Sequence, residues 1–227
     1  MIDNIVRVLE KYWPLFLEGL GMTLLLSAII VLCGTILGFL IALLRMSRLK
    51  IFHIKPLNVV AAIYVEVIRG TPMLLQLYFF YFLLPEMLPF MDLPPTICVT
   101  VALCLNSAAY VSEVIRAGIQ GIDKGQTEAA RSLGLNQRQT MMKVVLPQAI
   151  KNILPALGNE FVMMIKDTSL ASTFFAGELM TVYKTVSGIV YLPIEPLIIV
   201  GVVYLVVTFT LSKLVQLFER RMAASAA

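Results

Sequence analysis

The sequence predicts an all-α membrane protein of about five transmembrane helices, and three observations carry that reading: composition, the length of uncharged runs, and the placing of basic residues. Hydrophobic residues make up 59% of the chain and charged residues 14%, with a mean hydropathy of +0.88. Soluble globular domains carry about 25% charged residues, so a water-facing surface could not be built from this composition. The uncharged runs 19–44, 93–112 and 196–212 approach or exceed the roughly 20 residues a helix needs to cross about 30 Å of hydrocarbon. Each of the three is expected to span.

Two further apolar regions, 54–84 and 154–177, are long enough to cross but are interrupted by charge. The first contains Glu66 and Arg69, on a helix that Gly70 and Pro72 should break; the second contains Glu160, Lys166 and Asp167. Strong hydrophobicity on both sides of each interruption favours spans over loops. The expected organisation is an N-terminal segment 1–18, a membrane domain 19–218 with a large insertion, and a tail 219–227.

Orientation follows from the loops that hold Lys and Arg. Arg45, Arg48, Lys50 and Lys55 fall in one connection, Arg116, Lys124, Arg131, Arg138, Lys143 and Lys151 in the insertion 113–158, and Lys213, Arg220 and Arg221 in the tail. The opposite loops hold only Arg7, Lys11 and Lys184, beside acids such as Glu86, Asp92, Glu178 and Glu195. An N-terminus outside and a C-terminus in the cytoplasm satisfy this bias. The net charge of +4 then lies beside anionic lipid and does not describe a nucleic-acid patch, since no basic cluster is interleaved with aromatics.

Other chemistry is sparse. Asp3, Glu10 and Glu18 near the start do not fit a cleavable signal peptide, so the first span is expected to be retained. Cys33, Cys98 and Cys104 all lie in expected spans and read as small packing residues, with no metal or cofactor implied. His53 stands alone in a basic loop and reads as a solvated histidine, which leaves no Ser-His, paired-Asp or metal arrangement for an intramembrane hydrolase.

The cytoplasmic insertion is punctuated by Gly118, Gly121, Gly125 and Gly134, with good helix formers over 128–133. A short helix should end at Gly134, and a second amphipathic segment over 135–145 should stop at Pro147. Sequence physics leaves two readings open: a solvated loop with surface helices, or a short helix with Ala129 and Ala130 beside Glu128, shaped for a groove on a soluble partner.

Glu128-Ala129-Ala130, Gly134, Val144 and Leu146-Pro147 resemble the cytoplasmic loop signature of permease subunits of bacterial ATP-binding-cassette importers, with Val144 where the family usually has Ile. Tyr12-Trp13-Pro14, Gly21-Met22-Thr23-Leu24, Arg69-Gly70-Thr71-Pro72, Lys124-Gly125-Gln126 and Lys166-Asp167-Thr168-Ser169-Leu170 resemble the polar amino acid branch of that family. The resemblance runs from residue 12 to about residue 218. It implies the type I importer fold in a bacterial inner membrane, and a second permease subunit, identical or different. It also implies an ATP-binding subunit and an extracytoplasmic binding protein that delivers a polar amino acid.

No G-x-x-x-x-G-K-[ST] phosphate loop occurs in the chain, so ATP hydrolysis is expected in the partner and the chain itself is not expected to be an enzyme. The loop about 118–150, through Glu128, Ala129, Ala130, Gly134, Leu146 and Pro147, would carry the coupling. By the same resemblance, Arg69, Gly70, Thr71 and Pro72 and the fourth-span residues Glu160, Asp167, Thr168 and Ser169 line the substrate cavity. There Arg69 and Thr71 would hold the α-carboxylate, Arg69 as a two-point fork, and the two acids would face the ammonium. Glu160 hints at a cationic side chain. A plainer reading pairs Glu66 with Arg69 locally and gives Lys166 and Asp167 partners on neighbouring helices. A permease of another importer branch, or a stand-alone channel or secondary carrier, are the alternatives; absence of repeated halves and presence of the loop signature speak against the latter.

Overall fold

The computed structural model describes residues 1–47 and 56–224, and within them every regular element is helical. Arg48, Lys50, His53 and Lys55 fall outside the described residues, and with them the reading of His53. The helices are α1 (Ile2–Met46), α2 (Pro56–Gly70), α3 (Met73–Met87), α4 (Pro95–Gln120), α5 (Lys124–Ser132), α6 (Gln137–Thr140), α7 (Leu146–Asp167), α8 (Leu179–Val190) and α9 (Ile194–Ala224). By length and apolarity α1, α4 and α9 can each cross a membrane, and α2 with α3 makes a fourth crossing if the bent pair counts as one. α7 is 22 residues long but carries Lys151, Glu160, Lys166 and Asp167.

α4 is the centre of the molecule. Of its most apolar stretch 61% is buried, against 28% for α1 and 11% for α9, so α9 is the periphery. The seam between α1 and α4 is closed by absent side chains. A Cβ on Gly34 would stand 2.6 Å from Ser107 Oγ, and one on Gly38 would stand 2.8 Å from the Ala108 carbonyl and 2.9 Å from Val111. Without a hydrophobic drive between helices in lipid, such small-residue contacts are how helix backbones come close.

Three helix starts explain themselves locally. α4 opens on Pro94 and Pro95, where a missing N–H leaves nothing unsatisfied. α5 is capped by Asp123, whose carboxylate accepts from Gly125 N at 2.7 Å. α8 is capped by Glu178, a loop acid by sequence but fully buried here, accepting from Met180 N at 2.6 Å and Thr181 N at 2.7 Å.

Two sequence expectations change. The segment between the long helices is shorter than 113–158, because α4 continues to Gln120 and α7 begins at Leu146; where the membrane boundary falls along them is a separate matter. Glu113 lies within α4, where it accepts from both Arg45 of α1 and Arg116 of its own helix. Pro147 does not stop the chain either. Met141–Val145 is a π turn in which Leu146 N bonds back to Met141 O, and helix continues from α6 through α7. The wider turn takes up the rung that proline removes, and the Gln148 side-chain amide donates to Val144 O at 2.9 Å.

The seam makes a prediction. Gly38→Val should destabilise the protein by about 1–3 kcal/mol or prevent assembly, since backbone and Val111 cannot recede. Gly21→Ala, on the same helix with nothing within 4 Å, should change little. Thermal unfolding of both variants in detergent checks this; equal stability would show that the seam is not tight.

Candidate functional site

α2 and α3 form one apolar hairpin bent by 110° at residues 71 and 72. The break that Gly70 and Pro72 announce is therefore present, and its loose carbonyls are gathered by one side chain. Gln76 Nε2 donates to Ile68 O at 2.7 Å, to Thr71 O at 3.1 Å and to Thr71 Oγ1 at 2.9 Å. Thr71 in turn donates to Val67 O at 2.8 Å. Gln76 is buried, and its own carbonyl accepts from Asn106 Nδ2 of α4 at 2.9 Å. Inside the bend lies a groove of about 260 Å³, in which Thr71 and Gln76 stand among apolar residues such as Val67, Leu75 and Phe79.

Arg69 ends α2, where a cation complements the negative end of the helix dipole. It makes no ion pair with Glu66, so the local pairing does not form. Its guanidinium carbon lies 5.3 Å from the centroid of the Tyr110 ring of α4, within cation–π range. Gly70 and Pro72 are exposed beside it. Asn106 and Tyr110 are one helical turn apart, so one face of α4 holds both sides of the break.

The neighbouring face of α4 holds the carboxylate side. Ser107, fully buried, donates to Glu160 Oε1 at 3.0 Å, and Glu160 is only 6% exposed on α7. Asp167, two turns along α7 on the same face, is half-buried. Thr168 is buried, with its hydroxyl donated to Ile165 O at 2.9 Å, so it closes the end of α7; Ser169 is half-buried. A 3₁₀ helix, Thr168–Phe174, then anchors this end on α3, with the Phe174 ring 4.6 Å from that of Tyr81 and 5.1 Å from that of Tyr78.

Arg69 and the two acids thus do not touch. Arg69 and Glu160 instead each meet a residue of α4, Tyr110 and Ser107, three positions apart. Gln76, Asn106, Ser107 and Tyr110 were not singled out by sequence, although amides and hydroxyls inside uncharged spans are a usable signal, because lipid gives them no partner.

In the loop between α4 and α7, Glu128 and Ala129 are exposed, while Ala130, Thr140 and Val145 are buried. α5 ends in a Schellman arrangement: Leu135 N bonds Ala130 O at 3.2 Å and Gly134 N bonds Arg131 O at 3.0 Å, with Gly134 at φ +84°. Leu133, 82% exposed, projects from that end beside Ala129. Leu146 and Pro147 open α7 at the base of the loop.

Residues 34–224 match the family described as the inner membrane component of binding-protein-dependent transport systems. The arginine transport system permease protein ArtQ of Bacillus subtilis is 40% identical over 93% of this chain and 94% of its own length. The nopaline transport system permease protein NocM of Agrobacterium fabrum is 37% identical, covering 94% and 90%. The glutamine transport system permease protein GlnP of Escherichia coli is 36% identical, covering 92% and 93%. Among solved structures, an amino acid ABC transporter crystallised with histidines superposes with a TM-score of 0.87 at 47% identity, over 94% of this chain and 96% of that one. The MetNI methionine ABC transporter superposes at 0.71 with 18% identity, a likeness of fold. With the family match covering most of its length, the chain belongs to the multi-pass inner-membrane permease components of binding-protein-dependent transport systems.

Proposed function

We propose that this chain is the permease subunit of an importer that takes up polar amino acids, cationic ones included, using ATP hydrolysed in a separate subunit. The observation that carries the proposal is the division of labour on α4: Asn106 and Tyr110 hold the break with Arg69 and Thr71, while Ser107 holds Glu160. An amino acid presents a carboxylate at one point and an ammonium at another. Arg69, exposed beside Tyr110, suits the carboxylate; Glu160 and Asp167 suit the ammonium and a cationic side chain. Relatives named for arginine, nopaline and glutamine transport support this substrate class.

In this reading the importer also contains a second permease subunit and an extracytoplasmic binding protein. The chain has its N-terminus outside, about five spans, and the coupling loop 118–150 in the cytoplasm. Ala129 and Leu133 face the ATP-binding subunit, while Ala130 seats α5 on its own loop.

Two experiments in reconstituted vesicles test this, each reading uptake and substrate-stimulated ATPase. For the site, Arg69→Lys should weaken every substrate because it keeps charge but loses the planar fork, and Asp167→Asn should impair all of them. Glu160→Gln should penalise arginine over glutamine by about ten- to a hundredfold, the worth of one charge-assisted contact of about 1.5–3 kcal/mol. Equal losses for both substrates would remove the cationic reading, and unchanged transport in all three variants would remove the site.

For coupling, Leu133→Asp should abolish uptake and release the ATP-binding subunit while the protein still inserts. Gly134→Val, forced toward a positive φ that costs a β-branched residue about 1–3 kcal/mol, should do the same by unwinding the end of α5. Full transport by both would place docking elsewhere.

A further inference from the structure

α1 is longer than a membrane requires. At 1.5 Å per residue its 45 residues extend about 67 Å, whereas hydrocarbon is about 30 Å thick and the whole bilayer with headgroups about 40–45 Å. The uncharged run 19–44 fills the hydrocarbon by itself, which leaves residues 2–18 beyond it. To fit entirely within the bilayer a straight α1 would have to lean by about 50°, past the usual limit of about 40°. Pro14, which removes one rung of the helix, is the natural place for a bend.

The surplus segment has three faces. Val8 and Phe16 are buried, with Ile5 and Tyr12 beside them, against apolar residues of α8 and α9. Asp3, Arg7, Glu10, Lys11 and Glu18 are exposed and fall together within an arc of roughly 100° at 100° per residue. Between them, within about 80°, lies a stripe of Ile2, Val6, Leu9, Trp13 and Leu17, each 45% to 74% exposed. The described protein leaves this stripe uncovered. It runs on in steps of three or four residues through Gly21 to Leu25, Ile29, Leu32 and Ile36, the exposed flank of the part that crosses the bilayer.

We propose that residues 2–18 are an interfacial lipid anchor, bound by the leaflet on the N-terminal side, with the stripe sunk among headgroups and upper acyl chains and the charged arc toward water. Continuity with the lipid-facing flank of the span names the occupant, because the same solvent that covers Leu25 to Ile36 meets the stripe where it emerges. The ring at its centre is indole, the side chain that prefers the headgroup level. The charged arc mixes Arg7 and Lys11 with three acids, so attachment depends on the apolar stripe more than on anionic lipid. The anchor holds the outer ends of α8 and α9, through Phe16 and through the Asn4 side chain that donates to Glu195 at 3.3 Å, at a fixed depth.

Trp13 is the only tryptophan of the chain, so its emission reports the stripe directly. The full chain is reconstituted in vesicles of phosphatidylethanolamine and phosphatidylglycerol, with the Trp13→Phe variant as blank if partner subunits are present. The expected result is blue-shifted emission that loses more intensity to lipids brominated near the glycerol end of the acyl chain than to lipids brominated near the methyl end, and little to aqueous iodide. The double variant Val6→Asp with Leu9→Asp should shift the emission to the red. Strong iodide quenching would overturn the proposal by placing the stripe in water, and stronger quenching from the deep bromines would make it an ordinary part of the span. Shielding from all three quenchers would show that a protein covers it, and an unshifted spectrum in the double variant would equally contradict the anchor.

Discussion

The close approach of α1 to α4 is the constraint from which the site follows. Because Gly34 and Gly38 present no side chain, Ser107 and Ala108 can lie against the backbone of α1, and α4 becomes the buried centre. Two adjacent α4 residues then act in different directions. Ser107 gives its hydroxyl proton to Glu160, and Asn106 gives an amide proton to Gln76, which gathers the carbonyls left open where α2 and α3 part. Each interaction removes a cost that lipid would impose in full: about 1–3 kcal/mol for an unpaired buried polar group, and about 2.5–3.5 kcal/mol for a carboxylate at mid-membrane on insertion scales.

The second consequence concerns transmission. The Asn136 capping box opens α6, the π turn carries helix past Pro147, and α7 delivers Glu160 and Asp167. The loop after α4 and the acids therefore belong to one nearly continuous helical body, with α5 packed on its base. In the proposed function a displacement at α5 would be carried to the acids by a rigid element, as packed helices shift between discrete arrangements and do not deform smoothly. α5 itself is fixed at both ends, by Asp123 and by the Schellman turn at Gly134. In the proposed function this short, doubly capped helix is the lever.

Much of this was legible in the sequence, and the parts that were not share a reason. Uncharged runs located α1, α4 and α9; Gly70 and Pro72 located the break; Gly134 located the end of α5. Local rules suffice for these, since each depends on hydrophobicity or on a backbone angle. What depended on a distant partner was misjudged. Glu113 and Arg116 were assigned to a loop because Arg45 was not known to face them. Arg69 was offered Glu66, three residues away, when an aromatic ring on another helix was available. Glu178 looked like an exposed loop acid until its carboxylate met the start of α8. Pro147 failed to end a helix because the π turn had already displaced the clash. Ala129 and Ala130, read together as a small-residue face, lie about 100° apart around α5, the first exposed and the second buried.

The central claim is that Asn106 holds the broken helix in register with the acids across α4. A double-mutant cycle between Asn106 and Gln76, read as the affinity of the reconstituted permease complex for its amino acid, tests it most directly. The account predicts that Asn106→Ala and Gln76→Ala each weaken binding and that the double variant is barely worse than either, a coupling of about 0.5–3 kcal/mol. Additive losses, or binding unchanged in the single variants, would contradict it.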